Sequence, residues 1–224
     1  MIIGLVGFAG CGKGTVGDLL VKEYKFTKLA FADSVKDATA AVFGWDRALL
    51  EGDTEESRVF REKRDDFWSA RLGYEMTPRY ALQLMGTEAG REVFHKDIWI
   101  LATERRMQGL DNVVIADVRF PNEVDFIRNA GGFVIRVIRG DDPDWFETAL
   151  MQNTLSYRSF VLDSNKKTME EMFPEIHNSE WAWIGTEFDY IIYNNGPKAE
   201  LQANIKYMLK AFTGPRTSDI MKAS

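Results

Sequence analysis

The sequence predicts a three-layer α/β fold, a parallel sheet of about five strands with helices on both faces, and three observations carry that expectation. Ile2–Val6 is a continuous apolar run; a glycine-rich turn follows it, and residues 14–24 then place Val16, Leu19 and Leu20 on one helical face. Residues 113–118 and Phe133–Ile138 are β-type runs on either side of the polar and apolar stretch Pro121–Asn129, which Gly131 and Gly132 close. Tyr190–Tyr193 supplies a last strand, followed by the tight turn Asn194-Asn195-Gly196 and an amphipathic helix over 197–212 through Leu201, Ile205, Met208 and Leu209.

The remaining segments read as helical additions to that core. Residues 31–43 form a helix entered through Asp33 or Ser34 as cap and closed near Gly44. From 45 to 75 the composition shifts to charge, which suits a solvated helical excursion. Pro78 fits a helix start, and Tyr80, Ala81, Leu84 and Met85 keep helical spacing until Gly86 interrupts it; a helix over 99–107 leads back to the core. Residues 141–179 carry Pro143 and Pro174 without a clear period and read as an irregular or helical insertion. The tail from 214 is expected to fray. No internal repeat or low-complexity linker interrupts the chain, so its 224 residues are expected to form one domain.

Composition narrows the function classes. A net charge of -6 opposes general nucleic-acid binding, which needs a basic surface to release counterions, so any anionic ligand must meet a local cluster of positive residues. A single cysteine, Cys11, provides neither a disulfide framework nor a thiolate metal site, and a reducing cytoplasm is the natural setting. The apolar start is short, lacks a basic lead and runs straight into glycines, which reads as a buried strand rather than a signal peptide; no stretch approaches the ~20 apolar residues of a membrane-spanning helix.

The strongest chemical signal is Gly7-Phe8-Ala9-Gly10-Cys11-Gly12-Lys13-Gly14-Thr15. Spaced glycines let backbone N–H groups curl around phosphate oxygens, Lys13 brings a point charge to the outer phosphates, and the positive end of the following helix points at them. Gly14 stands where the usual pattern has Ser or Thr, and the hydroxyl comes one residue later in Thr15, which either touches magnesium or only orients phosphate. Asp117 and Arg119 follow a predicted strand whose carboxyl end would face a ligand crevice. There a carboxylate can orient magnesium waters and an arginine can fork onto phosphate, or the two simply pair with each other. Arg79, Gln83 and Thr87 recur at offsets of four, giving one helical face that either recognises a nucleotide or is plain solvated surface. Trp99 is open between core and a base-stacking platform, and Lys36, one turn into its helix, is either an acceptor-phosphate ligand or a surface lysine.

The Gly-Lys-Gly-Thr form resembles the loop of nucleoside monophosphate kinases. Phe31-Ala32-Asp33-Ser34-Val35-Lys36-Asp37, Arg79-x-x-x-Gln83-x-x-Gly86-Thr87-Glu88, Asp117-x-Arg119-x-x-x-Glu123, His177-x-Ser179-Glu180 and Asn194-Asn195-Gly196 follow in order. This set is similar to the phage deoxynucleoside monophosphate kinase family, whereas 46–75 and 141–175 match none of its motifs. The resemblance implies a P-loop kinase fold with core about 1–44, 110–140 and 186–213, a monophosphate-binding insertion about 45–109 and a lid about 141–185. It implies that Ala9, Gly10, Cys11, Gly12, Lys13, Gly14 and Thr15 bind ATP, with Asn194 and Asn195 cupping the adenine unless they form only a hairpin-type turn. Asp33, Lys36, Arg79, Gln83, Gly86, Thr87, Trp99, Asp117, Arg119 and Glu123 are the implied acceptor residues, and Thr15 and Asp117 the implied magnesium ligands. Lys13, Asp117, Arg119 and a lid residue, Arg139, would be catalytic; His177 has no assigned role. The implied partners are ATP, Mg2+ and deoxynucleoside monophosphates, without nucleic acid or membrane, with a homodimer as candidate assembly and a host-cell cytoplasm if the chain is phage-encoded. The alternatives are a kinase of another small acceptor such as dephospho-coenzyme A, and a non-kinase P-loop nucleotide switch.

Overall fold

A computed structural model describes residues 1–154 and 167–213. Five strands form one sheet: β1 (Ile2–Val6), β2 (Thr27–Leu29), β3 (Val113–Ile115), β4 (Phe133–Ile138) and β5 (Tyr190–Tyr193), in the order β2-β3-β1-β4-β5. The β1–β3, β1–β4 and β4–β5 pairings are all parallel, with Gly4 opposite both Ile115 and Val134 and Val6 opposite Arg136. β1 is thus central, and Ile3, Leu5 and Val6 are fully buried. Such strands read as unbroken apolar runs because helices cover both faces of the sheet.

Alternation along β1 sorts those faces. Ile3 and Leu5 join Val114, Ile135, Val137 and Ile192 against α1 (Lys13–Tyr24) and the closing helix Lys198–Thr213, whose Leu201, Ile205, Met208 and Leu209 fill one cluster. Each such side chain stabilises by about 1.5–3 kcal/mol when fully buried, so Ile205→Asp would break this layer. Gly4 points the other way, where a Cβ would collide with Ile127 of α7 (Pro121–Asn129). α7 therefore packs on β1 and β4 at the opposite face, completing three layers.

The chain divides into two compact units, residues 1–28 with 111 onward, and Leu29–Leu110. The first holds the sheet and, after β4, α8 (Phe146–Thr154), α9 (Met169–Met172) and the 3-10 turn Asn178–Glu180, succeeded by the buried residues Trp181, Ala182, Trp183 and Ile184. The second is helical: α2 (Asp33–Phe43), the 3-10 turn Arg47–Leu50, α3 (Glu55–Glu62), α4 (Asp66–Leu72), α5 (Pro78–Leu84), a π-helix over Met85–Phe94, and α6 (Ile98–Met107). Its termini explain why so charged a stretch stays ordered. Thr54 and Ser57 form a capping box, the Asp65 carboxylate accepts from the Trp68 amide and the Trp45 indole, and Thr77 caps α5 ahead of Pro78. Phe43 stacks on Trp45 at 4.5 Å and meets Trp68 edge-on at 5.0 Å, and Leu50, Met76 and Ala81 are buried in the same unit.

Four expectations need correction, and the expected fraying from 214 falls on residues outside those described. The third strand ends at Ile115 and not at 118, because Asp117 interrupts the apolar run. β2 was not anticipated; Thr27 and Lys28 are exposed at the sheet edge, with the Thr27 amide bonded to Asn112 O at 2.8 Å. Neither Asp33 nor Ser34 caps α2: Ala32 holds the N-cap position, and the Asp33 carboxylate accepts from the Ala30 amide at 2.8 Å. Gly86 does not end the helix begun at Pro78; the winding loosens into π geometry and continues to Phe94. No helix among the described residues is long and apolar enough to cross a membrane.

Candidate active site

The loop between β1 and α1 is shaped by glycines where no other residue fits. Gly7 has φ 142, and a Cβ there would collide with Val137 O; Gly12 has φ 100 and would collide with the Asn194 amide. Because Gly12 is the N-cap and brings no side-chain acceptor, the first-turn amides of α1, including those of Lys13, Gly14 and Thr15, have no intrahelical partner and suit an oxyanion. Ala9, Gly10, Gly14 and Thr15 are exposed, Gly12 is half-buried, and Cys11 is buried, packed beneath the loop. The Lys13 ammonium crosses the loop to bond Gly7 O at 2.6 Å and Phe8 O at 2.9 Å. Burial pushes its pKa down; Cys11 opposes that, Arg119 adds to it, and Glu180 and Asp117 oppose it more weakly. Lys13, Asp117, Arg119 and Glu180 therefore share one electrostatic neighbourhood.

Asp117 stands two residues past β3 and is partly buried. Arg119 gives its Nη1 to Ser179 Oγ at 3.1 Å and Glu180 Oε1 at 2.8 Å. Glu123, expected among the acceptor ligands, is 3% exposed and turns back on the chain: its Oε2 accepts from the amides of Arg119 at 2.7 Å and Phe120 at 3.1 Å. It fixes the turn on which Arg119 stands. His177 Nδ1 lies 2.9 Å from the Ser179 hydroxyl and accepts from its amide at 3.3 Å. The His177-x-Ser179-Glu180 segment thus acquires a role through Arg119, which only a contact across 61 positions could disclose.

At the far end of the loop, Phe8 packs against Trp145 at 5.2 Å, Phe146 at 6.1 Å and Trp183 at 5.1 Å. Arg136 lies over Phe146 and Trp183 and pairs with Asp142. Sequence reasoning passed over this cluster, although the 141–185 segment concentrates tryptophan and phenylalanine. Arg139 is exposed one residue past β4. Asn194 donates to Cys11 O at 2.9 Å and Asn195 accepts from the Gly140 amide at 2.8 Å. Both side chains brace backbone, so cupping a base would fall to the main chain of their turn.

In the second unit, Arg79, Gln83 and Thr87 are all exposed, and Arg79 pairs with Glu62. The Trp99 indole lies against Gly90, where a Cβ would overlap the ring, and donates to Gly86 O at 2.7 Å. Its N–H is thus committed to the backbone of the π-helix. Among the described residues, a Cβ at Gly86 would meet only Val35, at 3.6 Å. Lys36 is not an open cation: it bonds Glu51 at 2.6 Å within a network where Arg47 pairs with Asp33, Asp37 and Glu51, and Arg106 with Asp37. The Asp33 carboxylate is likewise committed, to Ala30 and Arg47.

A parallel sheet whose central strand runs into a glycine loop, lysine and helix N-terminus defines a P-loop kinase fold. No family model matches the chain. It is 32% identical over 193 residues to a protein of Acanthamoeba polyphaga mimivirus provisionally named a deoxynucleotide monophosphate kinase, covering 79% of this chain and 94% of that one. It is 46% identical over 72 residues to the deoxynucleoside-5'-monophosphate kinase of Escherichia phage T5, covering 31% and 27% of the two chains. The chain belongs to the deoxynucleoside monophosphate kinase family. Among solved structures, TT1252 from Thermus thermophilus aligns at TM-score 0.47 and 17% identity over 96% of this chain and 98% of that one. Shikimate kinase from Aquifex aeolicus aligns at 0.41 and 17% over 96% and 97%.

Proposed function

We propose that the chain transfers the terminal phosphoryl group of ATP to the 5′-phosphate of deoxynucleoside monophosphates, releasing ADP and the diphosphates that feed DNA synthesis. The observation that carries this reading is that Asp117 and Arg119 follow β3, the parallel neighbour of β1, and so stand at the same end of the sheet as the loop and Lys13, in a chain of this family. Arg119 adds a partly exposed guanidinium to the Lys13 ammonium, which suits a second phosphate.

Positioning and charge neutralisation carry such transfers, and no covalent enzyme intermediate is required. The loop amides and the α1 N-terminus hold the donor phosphates, and Lys13 exchanges Gly7 O and Phe8 O for their oxygens. Arg119 forks onto the acceptor phosphate, and Arg139 adds charge opposite the transferred group. In the second unit, the Arg79, Gln83 and Thr87 face with the Gly86 backbone suits recognition of a nucleoside. Lys36 serves there only if phosphate displaces Glu51. Among the described residues no three His, Cys, Asp or Glu side chains are grouped to hold a metal. That fits magnesium, which is carried largely by substrate phosphates and water with one or two protein oxygens, here those of Thr15 and Asp117. When bound it supplies neutralisation of charge on the phosphates.

The test is ADP release with magnesium-ATP against a panel of ribo- and deoxynucleoside monophosphates, with dephospho-coenzyme A included. Turnover dependent on a deoxynucleoside monophosphate is expected. Slow ATP hydrolysis indifferent to every acceptor would replace the kinase with a nucleotide switch, and turnover on dephospho-coenzyme A alone would change the acceptor.

A further inference from the structure

The side chain of Arg119 is 45% exposed, yet it is not loose. Among the described residues it bonds through Nη1 alone, to Ser179 Oγ at 3.1 Å and Glu180 Oε1 at 2.8 Å. The mount beneath those two acceptors is firm. His177 fixes both the hydroxyl and the amide of Ser179. The Trp183 indole donates to Glu180 O at 2.9 Å, and Trp181, Ala182, Trp183 and Ile184 are 5%, 9%, 1% and 1% exposed. Asn153 from α8 closes the stretch by donating to Trp181 O at 3.0 Å and Ile184 O at 2.8 Å. The backbone of Arg119 is pinned separately, through its amide, by Glu123 at 2.7 Å.

A guanidinium is a planar fork, so gripping one of its nitrogens sets the direction of the opposite edge. We infer that Glu180, backed by Ser179, is a positioning residue that aims the Nε and Nη2 edge of Arg119 at the acceptor phosphate. The inference rests on the assignment of Arg119 to that phosphate. Two features explain why a carboxylate suits the place. A charge-assisted bond holds an arginine more firmly than a neutral acceptor would. Glu180 also lies in the field of Lys13, where its negative charge opposes the repulsion between Lys13 and Arg119. A long side chain freed of that grip would spread over several rotamers and lose its preorganisation for a bidentate contact.

The contrary possibility is that Glu180 stands in for phosphate and must be displaced. The two predict opposite signs. Glu180→Ala, Glu180→Gln and Ser179→Ala are compared with wild type by steady-state ADP release, using a deoxynucleoside monophosphate that wild type turns over. Glu180 is 32% exposed, so the variants should fold, and their melting curves check it. Glu180→Ala should raise the acceptor KM about tenfold with the ATP KM unchanged. Glu180→Gln should recover much of that loss, because its amide oxygen still accepts from Nη1. A lowered acceptor KM in either variant would make Glu180 a placeholder and overturn the inference, as would an unchanged acceptor KM in Glu180→Ala or equal changes there for both substrates. Should Glu180→Ala fail to fold, Ser179→Ala decides in its place: a smaller rise confined to the acceptor KM supports the inference, and no rise, a fall, or equal changes for both substrates overturns it. Wild type inert toward every monophosphate would strike the functional reading first, and the inference with it.

Discussion

Replacing Glu123 by alanine should damage stability and acceptor use together. The carboxylate is 3% exposed and accepts two backbone amides, from Arg119 at 2.7 Å and Phe120 at 3.1 Å, at the start of α7. Hydrogen bonds to a charged group contribute about 1.5–3 kcal/mol each, but both bonds are only partly buried and the amides can recover some water, so the net loss should be about 2–4 kcal/mol. For a chain of this size that lowers Tm by about 5–15 °C. Release of the turn also lets the Arg119 backbone drift, and a shift near 1 Å can cost on the order of 100-fold, so acceptor kcat/KM should fall about 10- to 100-fold. Differential scanning calorimetry and steady-state ADP release read the two effects. A Tm within 2 °C or so of wild type would refute the structural estimate. A lowered Tm with unchanged acceptor kcat/KM would show that the turn does not govern Arg119.

Three other outcomes follow from separate parts of the molecule. Phe8→Ala removes edge and tilted contacts to Trp145, Phe146 and Trp183. It should cost about 2–4 kcal/mol in denaturant melts and alter tryptophan emission, and an unchanged melt would mean that the phosphate loop does not lean on the insertion. Gly12→Ala forces a side chain onto φ 100 and against Asn194, so stability should fall by about 1–3 kcal/mol and ATP affinity with it; wild-type affinity would contradict the loop assignment. The Asp37 and Glu51 carboxylates are pushed up by burial, but the bonds from Arg106 and Arg47, and from Lys36 and Arg47, outweigh that and hold them below their ordinary values of 3.8 and 4.5. Groups with depressed folded values stabilise fully above those ordinary values and lose that contribution as pH falls through the lowered ones, so Tm should drop on acidification below about pH 4.5. Arg47→Leu should blunt this acid limb, and a limb of wild-type steepness in the variant would assign it to other groups.

The elements legible in the sequence were those whose burial is two-sided or whose ends carry unambiguous chemistry. β1, β4 and β5 were bounded to the residue because each is a β-type run of mostly apolar residues, broken only by Arg136 in β4, and α7 because Pro121 and the Gly131-Gly132 pair mark its ends. β2 was invisible: three residues with an exposed threonine and lysine have no apolar signature. The π-helix was missed because the spacing of Arg79, Gln83 and Thr87 fits α and wider windings alike near its start, while the widening accompanies the Trp99 ring lying against Gly90.

At the site, composition disclosed which residues were chemically capable but not where they point. Lys13 bonds Gly7 O and Phe8 O within the loop, and Arg119 follows β3 at the same end of the sheet. Glu123, Lys36 and Asp33 have the same chemistry as a ligand, yet each is turned toward protein partners, a fact fixed by tertiary contacts and not by spacing. Ser179 and Glu180 were the converse, residues without a reason until Arg119 supplied one.

The account's central division of labour is a donor held by the glycine loop and an acceptor held by Arg119. The Michaelis constants of Arg119→Ala for ATP and for the deoxynucleoside monophosphate test it most directly. A rise of about tenfold or more for the monophosphate with ATP nearly unchanged is the predicted result, in keeping with loss of a charge-assisted fork. Equal losses for both substrates, or a loss confined to ATP, would move Arg119 to the donor side and contradict the account.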